Sequence, residues 1–277
     1  MRILVKIGGA WLEETGPRAQ LCQGIAAARR AGHEVVVVHG GGNQIRQLGR
    51  DLGVPERYHD GLRVTDARTA EVVLMVLAGQ VNRTLTAALQ RAGVPAAGIC
   101  GADGGSFSAR RMHSDDVDLG YVGAVDEVRP QLVRTLLDAE FVPVVATVAP
   151  GVHGDASEPF YNINADHAAA PLCKAFDCAA LLFLTDVDGV RGDDGAVLPR
   201  LDPAACKRLI ASGTASGGML PKLDAALRAL RENPTALVKI APAGAADAVL
   251  NALRPDVGTA FVADLAATPH PAEAARG

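Results

Sequence analysis

The chain has two glycine turns, each just after a short apolar segment, and such turns are suited to binding anions. They lie within Ile3–Gly9 (ILVKIGG) and Val35–Asn43 (VVVVHGGGN). A strand that ends in glycines before a helix presents backbone N–H groups and the positive end of a helix dipole, and both stabilise phosphate or carboxylate. Neither turn matches the Walker A pattern or G-x-G-x-x-G, so each is a weak signal alone. Because there are two, we expect a phosphate-binding site.

Lys6 stands inside the first apolar segment, just before its glycines. Burial of a lysine is costly unless an anion meets it, so this position favours contact with a phosphate. The alternative is an ordinary edge residue whose ammonium group reaches solvent. For His39, beside the second turn, a packed structural role is favoured over that of a base.

The segment Asp60–Asp66 (DGLRVTD) precedes a long apolar helical pattern. Thr65 or Asp66 can cap that helix. Arg63 comes immediately before the cap and can bind a carboxylate with two parallel hydrogen bonds. An ordinary surface arginine is the alternative.

The segment Tyr161–Ala168 (YNINADHA) leads into another helical pattern. Asn164 as the helix N-cap explains one of its polar residues but not the others. Asn162 and Asp166 therefore remain candidates for contacts to a substrate and to a lysine.

Two further polar segments lie in the C-terminal part of the chain. Leu184–Val190 (LTDVDGV) follows an apolar run, and this position is suited to ribose, phosphate or metal, although an ordinary turn explains it almost as well. In Ser216–Leu223 (SGGMLPKL), Lys222 falls in the first turn of a predicted helix, where the helix dipole disfavours a cation. A bound phosphate would compensate, and a solvated surface lysine is the alternative.

Strand-like segments recur along the chain, and helical segments separate most of them. The predicted strands are Ile3–Ile7, Val35–His39, Val94–Ile99, Phe141–Val148, Ala180–Leu184, Ala236–Ile240 and Thr259–Val262. The predicted helices are about 17–31, 42–52, 66–92, 130–139, 165–177, 203–212, 218–232 and 244–253. This alternation predicts an α/β fold with a mostly parallel sheet covered by helices on both faces. Ligands bind such sheets at the carboxyl ends of the strands, where both glycine turns lie. Residues 106–128 and 149–163 break the alternation and are expected to border that crevice.

Composition excludes several classes of protein. The chain has 277 residues, of which 49% are hydrophobic, and a net charge of −4 without a basic run, which argues against general binding of nucleic acid. Its five cysteines form no C-x-x-C pair, so neither a zinc site nor a disulfide framework is supported. No apolar run in the sequence is long enough to span a bilayer. We therefore expect a cytoplasmic protein that binds neither membrane nor nucleic acid.

Taken together, these segments resemble the amino acid kinase family. The motifs are KIGG at 6–9, HGGG at 39–42, GLRVT at 61–65, NINAD at 162–166, LTDVDG at 184–189 and GMLPK at 218–222, in the order that the family has them. The resemblance implies an open αβα sandwich with two lobes. The N-terminal lobe, 1–178, would bind an acylated amino acid and dimerise, and the C-terminal lobe, 179–277, would bind ATP. Among the family's substrates, the pattern points to N-acetyl-L-glutamate, whose side-chain carboxylate would become an acyl phosphate.

The resemblance also implies a role for each site residue. The catalytic lysines Lys6 and Lys222 would approach the transferred phosphoryl group from opposite sides, and Asp166 would orient both. The phosphate would bind Gly8 and Gly9, and the acceptor would bind Gly41, Gly42, Arg63 and Asn162. The nucleotide would bind Thr185, Asp186, Val187, Asp188, Gly189, Val190, Arg191, Thr214, Ser216 and Gly217, with Mg²⁺ held mainly by the phosphates. No general base is needed, because a carboxylate acceptor of pKa about 4.3 is already ionised at neutral pH.

Two features bear on assembly and on the site. Family members that arginine inhibits carry an extra helix before the first strand, whereas here that strand begins at Arg2. We therefore expect a homodimer that arginine does not inhibit. The apolar face of the helix predicted at 66–92 could serve as core or as a dimer interface. Pro221 requires that Lys222 lie in the first helical turn.

Other functions remain open at this stage. The nearest alternative is a kinase for carrier-protein-linked aminoadipate or glutamate, and a carbamate or nucleoside-monophosphate kinase is a more distant one. The segment around Arg63 matches the acetylglutamate pattern better than either. A catalytically silent nucleotide-sensing module is an alternative of a different class, against which the presence of Lys6, Asp166 and Lys222 together argues.

Overall fold

An eight-stranded sheet runs through the molecule in the computed structural model, which describes residues 1–152 and 158–264. Its strands, in spatial order, are β12 (Arg200–Leu201), β14 (Thr259–Phe261), β13 (Leu237–Pro242), β11 (Ala180–Thr185), β1 (Arg2–Ile7), β2 (Glu34–His39), β8 (Val142–Ala146) and β5 (Ala96–Ile99). The pairing of β13 with β14 is antiparallel, and all the other neighbouring strands in this order are parallel. The predicted α/β fold with a mostly parallel sheet is confirmed.

Helices cover both faces of this sheet. They are α1 (Thr15–Arg30), α2 (Gly42–Asp51), α3 (Ala67–Leu74), α4 (Asn82–Arg91), α5 (Gln131–Asp138), α6 (Ala165–Ala175), α7 (Pro203–Ala211), α8 (Met219–Glu232) and α9 (Ala248–Ala252). One buried cluster joins α1, α3, α4 and α9 to one face, and another joins α5, α6, α7 and α8 to the opposite face. The strands are hydrophobic on both sides because each side meets a layer of helices.

Strand β1 lies at the centre of the sheet and shows how the two faces are separated. Ile3, Val5 and Ile7 pack into the cluster that contains α1, whereas Leu4 packs into the cluster that contains α6. Because side chains alternate along a strand, Lys6 projects to the same face as Leu4, towards α6. The strand therefore delivers its one charged interior residue to the helix that carries Asp166.

The helix predicted at 66–92 is a continuous helix that contains a π-helical stretch. The side chain of Asp66 caps α3 by accepting the N–H of Thr69 at 2.8 Å, and residues Met75–Val81 form the π-helical stretch between α3 and α4. In length and composition Ala67–Arg91 could cross a membrane, but half of its most apolar window is buried inside the molecule. The core helix of a globular protein can have the same length and apolar composition, so these two properties of Ala67–Arg91 do not indicate a membrane span.

Two smaller sheets border the carboxyl ends of the central strands. One contains β6 (Phe107–Arg111), β7 (Val122–Val128), β10 (Tyr161–Ile163) and β9 (Val148–Ala149), and the other is the hairpin of β3 (Tyr58–His59) and β4 (Leu62–Arg63). The first agrees with the excursions expected at 106–128 and 149–163, within the described residues. The strand predicted over Phe141–Val148 is interrupted at Thr147, because the chain passes there from the central sheet to the smaller one.

The expected division into lobes falls between α6 and β11. Strand β1 pairs with β2 on one side and with β11 on the other, so a single sheet passes through the boundary at 178 and 179. The buried cluster around α6 and α8 also contains residues from both sides of that boundary. The two lobes therefore share one sheet, and their division by function remains a prediction.

Candidate active site

A cavity of about 240 Å³ lies at the carboxyl ends of β1 and β2. It is lined by seven separate parts of the chain, which contain every residue predicted to bind the acceptor or the phosphate. The predicted residues among its lining are Lys6, Gly8, Gly9, Gly41, Gly42, Arg63, Asn162 and Asp166. The fold therefore brings together residues that are up to 160 positions apart in sequence, as shown by Lys6 and Asp166.

Lys6 and Asp166 form an ion pair in this cavity. The Lys6 Nζ atom lies 2.7 Å from Asp166 Oδ1, and Lys6 is 8% exposed. The side chain of Asn164 accepts the N–H groups of Asp166 and His167, which fixes the first turn of α6. Lys6 is thus a buried, paired residue of a central strand, and the interpretation as a solvent-reaching edge lysine is wrong.

The two glycine turns touch each other at the floor of the cavity. A Cβ added to Gly9 would lie 3.0 Å from Gly41 Cα, and a Cβ added to Gly41 would lie 2.7 Å from Leu77 Cδ2. A larger residue at Gly9 would therefore push the turns apart, and one at Gly41 would clash with the side chain of Leu77. Helix α2 begins at Gly42, so the positive end of its dipole faces the same space. The backbone here is suited to an anion, as the two turns predicted.

His39 connects the second glycine turn to Asn82 in α4 through hydrogen bonds of its ring. Its ring is fully buried; Nδ1 lies 3.0 Å from the carbonyl oxygen of Gly40, and Nε2 lies 3.0 Å from Asn82 Nδ2. This arrangement suits a neutral imidazole that donates from Nδ1 and accepts at Nε2. Burial lowers the pKa of His39 to about 4, although the hydrogen bond to Gly40 opposes the shift. The expected structural role, rather than that of a base, fits these contacts.

Arg63 and Asn162 line the cavity opposite Lys6's strand and are linked through one residue. Asn162 Nδ2 donates to Thr65 Oγ1 at 3.2 Å, and Thr65 Oγ1 donates to the carbonyl oxygen of Arg63 at 2.7 Å. Arg63 is 9% exposed, so the interpretation as a surface arginine is wrong. A cationic group and an amide at one wall can bind a carboxylate and a neighbouring amide.

Lys222 and Asp186 are both outside the lining of this cavity in the described part of the chain. Asp186 accepts a hydrogen bond from Thr185 Oγ1 at 2.8 Å, and this bond, together with the charge of Lys222, lowers the pKa of Asp186 against the effect of burial. Lys222 is in the first turn of α8, as Pro221 required, and its Nζ donates to the carbonyl oxygen of Gly218 at 3.3 Å. The described contacts pair Asp166 with Lys6, and its orientation of Lys222 remains a prediction.

The other residues predicted for the nucleotide lie in two loops near the C-terminal end of β11 and the start of α8. Asp188 and Arg191 form an exposed ion pair with 3.2 Å between Asp188 Oδ2 and Arg191 Nη2, and Thr214 Oγ1 donates to Asp193. Gly189 and Val190 are buried, Val187 is half-buried, and Ser216 and Gly217 are exposed. The structure places these residues in two loops. Their contact with a nucleotide remains a prediction.

Sequence reasoning missed several residues of the cavity wall. Tyr58 and Thr147 line it, and the buried hydroxyl of Thr147 has no hydrogen-bond partner among the described residues. The position of Tyr58 five residues before Arg63 was a usable signal, because a short hairpin around Asp60–Gly61 places the two side by side. Thr147 lay inside a predicted strand and gave no such signal.

The chain is similar to proteins of known activity. Residues 1–239 match the amino acid kinase family. The chain is 43% identical over 268 residues to the acetylglutamate kinase of Koribacter versatilis, which covers 97% of this chain and 100% of that protein. It is 45% identical over 263 residues to the acetylglutamate kinase of Solibacter usitatus, which covers 95% and 99% of the two chains.

Solved structures share the fold. The protein smu.665 of Streptococcus mutans UA159 superposes with a TM-score of 0.79 at 28% identity, over 95% of this chain and 99% of that one. The carbamate kinase of Giardia lamblia bound to AMP-PNP superposes with a TM-score of 0.68 at 15% identity, over 95% and 98%. With a family match over most of its length and full-length relatives above 40% identity, this chain belongs to the amino acid kinase family.

Proposed function

We propose that this protein transfers the γ-phosphoryl group of ATP to the side-chain carboxylate of N-acetyl-L-glutamate, as a step of arginine biosynthesis. The observation that carries the proposal is the cavity in which Lys6, two glycine turns, Arg63 and Asn162 converge. The names of the full-length relatives support the choice of acceptor. The GLRVT segment, which separated this acceptor from carrier-linked ones, supplies the buried arginine of that cavity.

The acceptor binds through its two ends. Arg63 binds the α-carboxylate and Asn162 the acetamido group, while the side-chain carboxylate points to the glycine turns. Because a carboxylate of pKa about 4.3 is ionised at neutral pH, no proton has to be removed before it attacks. The attacking oxygen forms the new P–O bond, and the bond to the departing ADP oxygen breaks in line with it.

Catalysis then consists of positioning and charge stabilisation. Lys6, fixed by Asp166, stabilises the negative charge on the oxygens of the transferred phosphoryl group. Backbone N–H groups of Gly8 and Gly9, with the N-terminal end of α2, act in the same direction. Lys222 acts from the nucleotide side.

The nucleotide binds the loops at Thr185–Arg191 and 214–217. The described residues contain no group of three or more His, Cys, Asp or Glu side chains that could hold a metal ion. We propose that the Mg²⁺ ion is held mainly by the nucleotide phosphates and has few protein ligands. When bound, Mg²⁺ would neutralise charge on the phosphates.

A coupled assay of ADP release tests the proposal, with N-acetylglutamate, glutamate and aspartate as acceptors. We expect turnover with N-acetylglutamate and much slower turnover with the two free amino acids, because they lack the acetamido group that Asn162 binds. Absence of turnover with N-acetylglutamate, together with ATP binding in calorimetry, would instead indicate the silent nucleotide-sensing module.

We also propose a cytoplasmic homodimer. Support for the dimer comes from the outer face of the helix at 67–91, where Met75 is 50% exposed and Leu74 and Ala78 beside it are half-buried. A second copy would cover this apolar strip. Light scattering coupled to size exclusion should give the mass of two chains, and the mass of one chain would contradict the homodimer.

A further inference from the structure

We infer that Glu56, together with the hydroxyl of Tyr58, is a positioning residue that holds the Arg63 guanidinium in the orientation that binds the acceptor's carboxylate. This inference rests on the proposed function, because it concerns the acceptor half of that site. Glu56 lies outside every motif that identified the site, and its role follows from the contacts around Arg63.

The Arg63 guanidinium is held at three points. Nη1 lies 2.8 Å from Glu56 Oε1, and Nη2 donates to Tyr58 Oη at 2.6 Å and to the carbonyl oxygen of Gly42 at 3.1 Å. The Tyr58 hydroxyl in turn donates to Glu56 Oε1 at 2.6 Å. Tyr58, Glu56 and Arg63 therefore form a closed ring of hydrogen bonds, and the bond to Gly42 attaches this ring to the second glycine turn.

The aromatic ring of Tyr58 adds a further contact. Arg63 Cζ lies 4.9 Å from the centroid of the Tyr58 ring, within the range of a cation–π interaction. The hydroxyl and the ring of Tyr58 thus contact the same guanidinium. Tyr58 can do so because it lies directly opposite Arg63 in the β3–β4 hairpin.

Glu56 contacts Arg63 from outside the cavity. Tyr58 and Arg63 line the cavity, whereas Glu56 is absent from its wall as far as the described residues go. On its other side Glu56 binds Arg46, with Arg46 Nε 3.1 Å from both carboxylate oxygens. Glu56 thus lies between two guanidinium groups, is partly exposed to solvent, and does not occupy the space of a bound acceptor.

Glu56 stays ionised in this position. Burial raises the pKa of Glu56, but the hydrogen bonds from Tyr58 and Arg46 and the charges of both arginines outweigh that effect and lower it. A carboxylate that keeps its charge throughout the neutral range is a constant anchor for Arg63.

The anchor leaves Arg63 able to bind a ligand. A guanidinium has five N–H donors, and the contacts to Glu56, Tyr58 and Gly42 use three of them. The Nε–H and one N–H of Nη1 remain as donors for a ligand. Because the side chain is already immobilised, the acceptor does not have to order it, and affinity for the acceptor rises accordingly.

Steady-state kinetics of Glu56→Ala test the inference. We expect KM for N-acetylglutamate to rise about three- to tenfold, the cost of ordering one long side chain on binding, while kcat and KM for ATP stay within about twofold. Tyr58→Phe keeps the ring and removes the hydroxyl, so it should raise the same KM by a smaller factor. Glu127→Ala is the matched control, since it removes an exposed arginine–glutamate pair with Arg129 away from the cavity.

A double-mutant cycle separates positioning from a merely structural effect. If Glu56 acts through Arg63, Glu56→Ala should change KM for N-acetylglutamate no further once Arg63→Ala is present. Glu56→Gln, which keeps the size of the side chain, replaces Glu56→Ala should that variant fail to fold. An unchanged KM in the single variant, or an equal rise with and without Arg63, would overturn the inference. Wild-type protein without turnover would instead defeat the proposed function.

Discussion

The two sides of the proposed site differ in how firmly their charged residues are held. On the acceptor side, Lys6 is 8% exposed and lies 2.7 Å from Asp166, and Arg63 is fixed by Glu56, Tyr58 and Gly42. On the nucleotide side, the described contact of the Lys222 ammonium group is one 3.3 Å bond to a carbonyl oxygen of its own helix turn. The charged residues of the acceptor side are held by short contacts without a ligand, whereas Lys222 on the nucleotide side is half-buried and has a longer, weaker contact.

This difference follows from the elements that carry each residue. Lys6 projects from a central strand that is paired on both sides, and its ammonium group meets Asp166 in the N-terminal turn of α6. Lys222 is half-buried in the first turn of α8, where the helix dipole disfavours a cation. We therefore expect substitutions on the acceptor side to affect both stability and activity, and substitutions on the nucleotide side to affect activity alone.

The largest effect is expected from Lys6→Met. We expect kcat to fall by about 10²–10³, since one preorganised cation at the transferred phosphoryl group is lost. The free energy of unfolding should also fall by about 1–3 kcal/mol, because Asp166 loses its partner in a mostly buried position. Steady-state kinetics and urea unfolding measure the two quantities.

Lys222→Met is the matched variant on the other side. It should lower kcat by a similar factor and change the free energy of unfolding by less than about 0.5 kcal/mol, because the described contact that is lost is one long hydrogen bond and Asp186 beside it is exposed. Equal destabilisation by the two substitutions would remove the proposed difference between the two sides. An unchanged kcat in Lys222→Met would remove that lysine from the site.

The sequence was sufficient to predict the fold class, and it singled out eight of the residues that line the cavity. Alternation of apolar strands and helices predicted the parallel sheet, and both glycine turns had to lie at its carboxyl edge. Since β1 and β2 are neighbours, this placed Gly9 beside Gly41. Asn164 was predicted as a cap, and this freed Asp166 for the contact to Lys6.

Other features could not be predicted because they depend on side chains from different elements. In the link from Asn162 through Thr65 to Arg63, the bond from Asn162 to Thr65 joins residues 97 positions apart, and no spacing rule relates them. Glu56 belongs to none of the sequence motifs. Its proposed role depends on the β3–β4 hairpin, whose strands have two residues each and are too short to show an alternating hydrophobic pattern. The interruption of a predicted strand at Thr147 required knowledge of the second sheet.

Acid should lower the free energy of unfolding, because His39 behind the glycine turn is buried in its neutral form. Its pKa is about 4 in the folded protein against 6.5 for a free side chain, so between these pH values the unfolded chain binds a proton that the folded one does not. Stability from this group is complete above pH 6.5 and is lost as the pH falls, by up to about 3 kcal/mol. Burial lowers the pKa of His167 as well, which adds in the same direction.

Urea unfolding from pH 7 to pH 4 checks this expectation, with His39→Asn beside the wild type. The variant should lose less stability on acidification than the wild type does, whatever its stability at pH 7. His113→Asn replaces an exposed histidine and serves as the control. Parallel pH profiles for the wild type and His39→Asn would contradict a neutral, buried His39 behind the glycine turn.

The smallest effect is expected from Asp186→Asn on the nucleotide side. The charge of Lys222 helps to lower the pKa of Asp186, so the two charges attract each other in the folded protein. Loss of this exposed attraction should raise KM for ATP by about two- to fivefold, with little change in unfolding free energy. KM for N-acetylglutamate should stay constant, because Asp186 is outside the lining of the acceptor cavity in the described structure. A rise in KM for N-acetylglutamate without a change in KM for ATP would mean that Asp186 belongs to the acceptor side. The nucleotide side would then not begin at the end of β11.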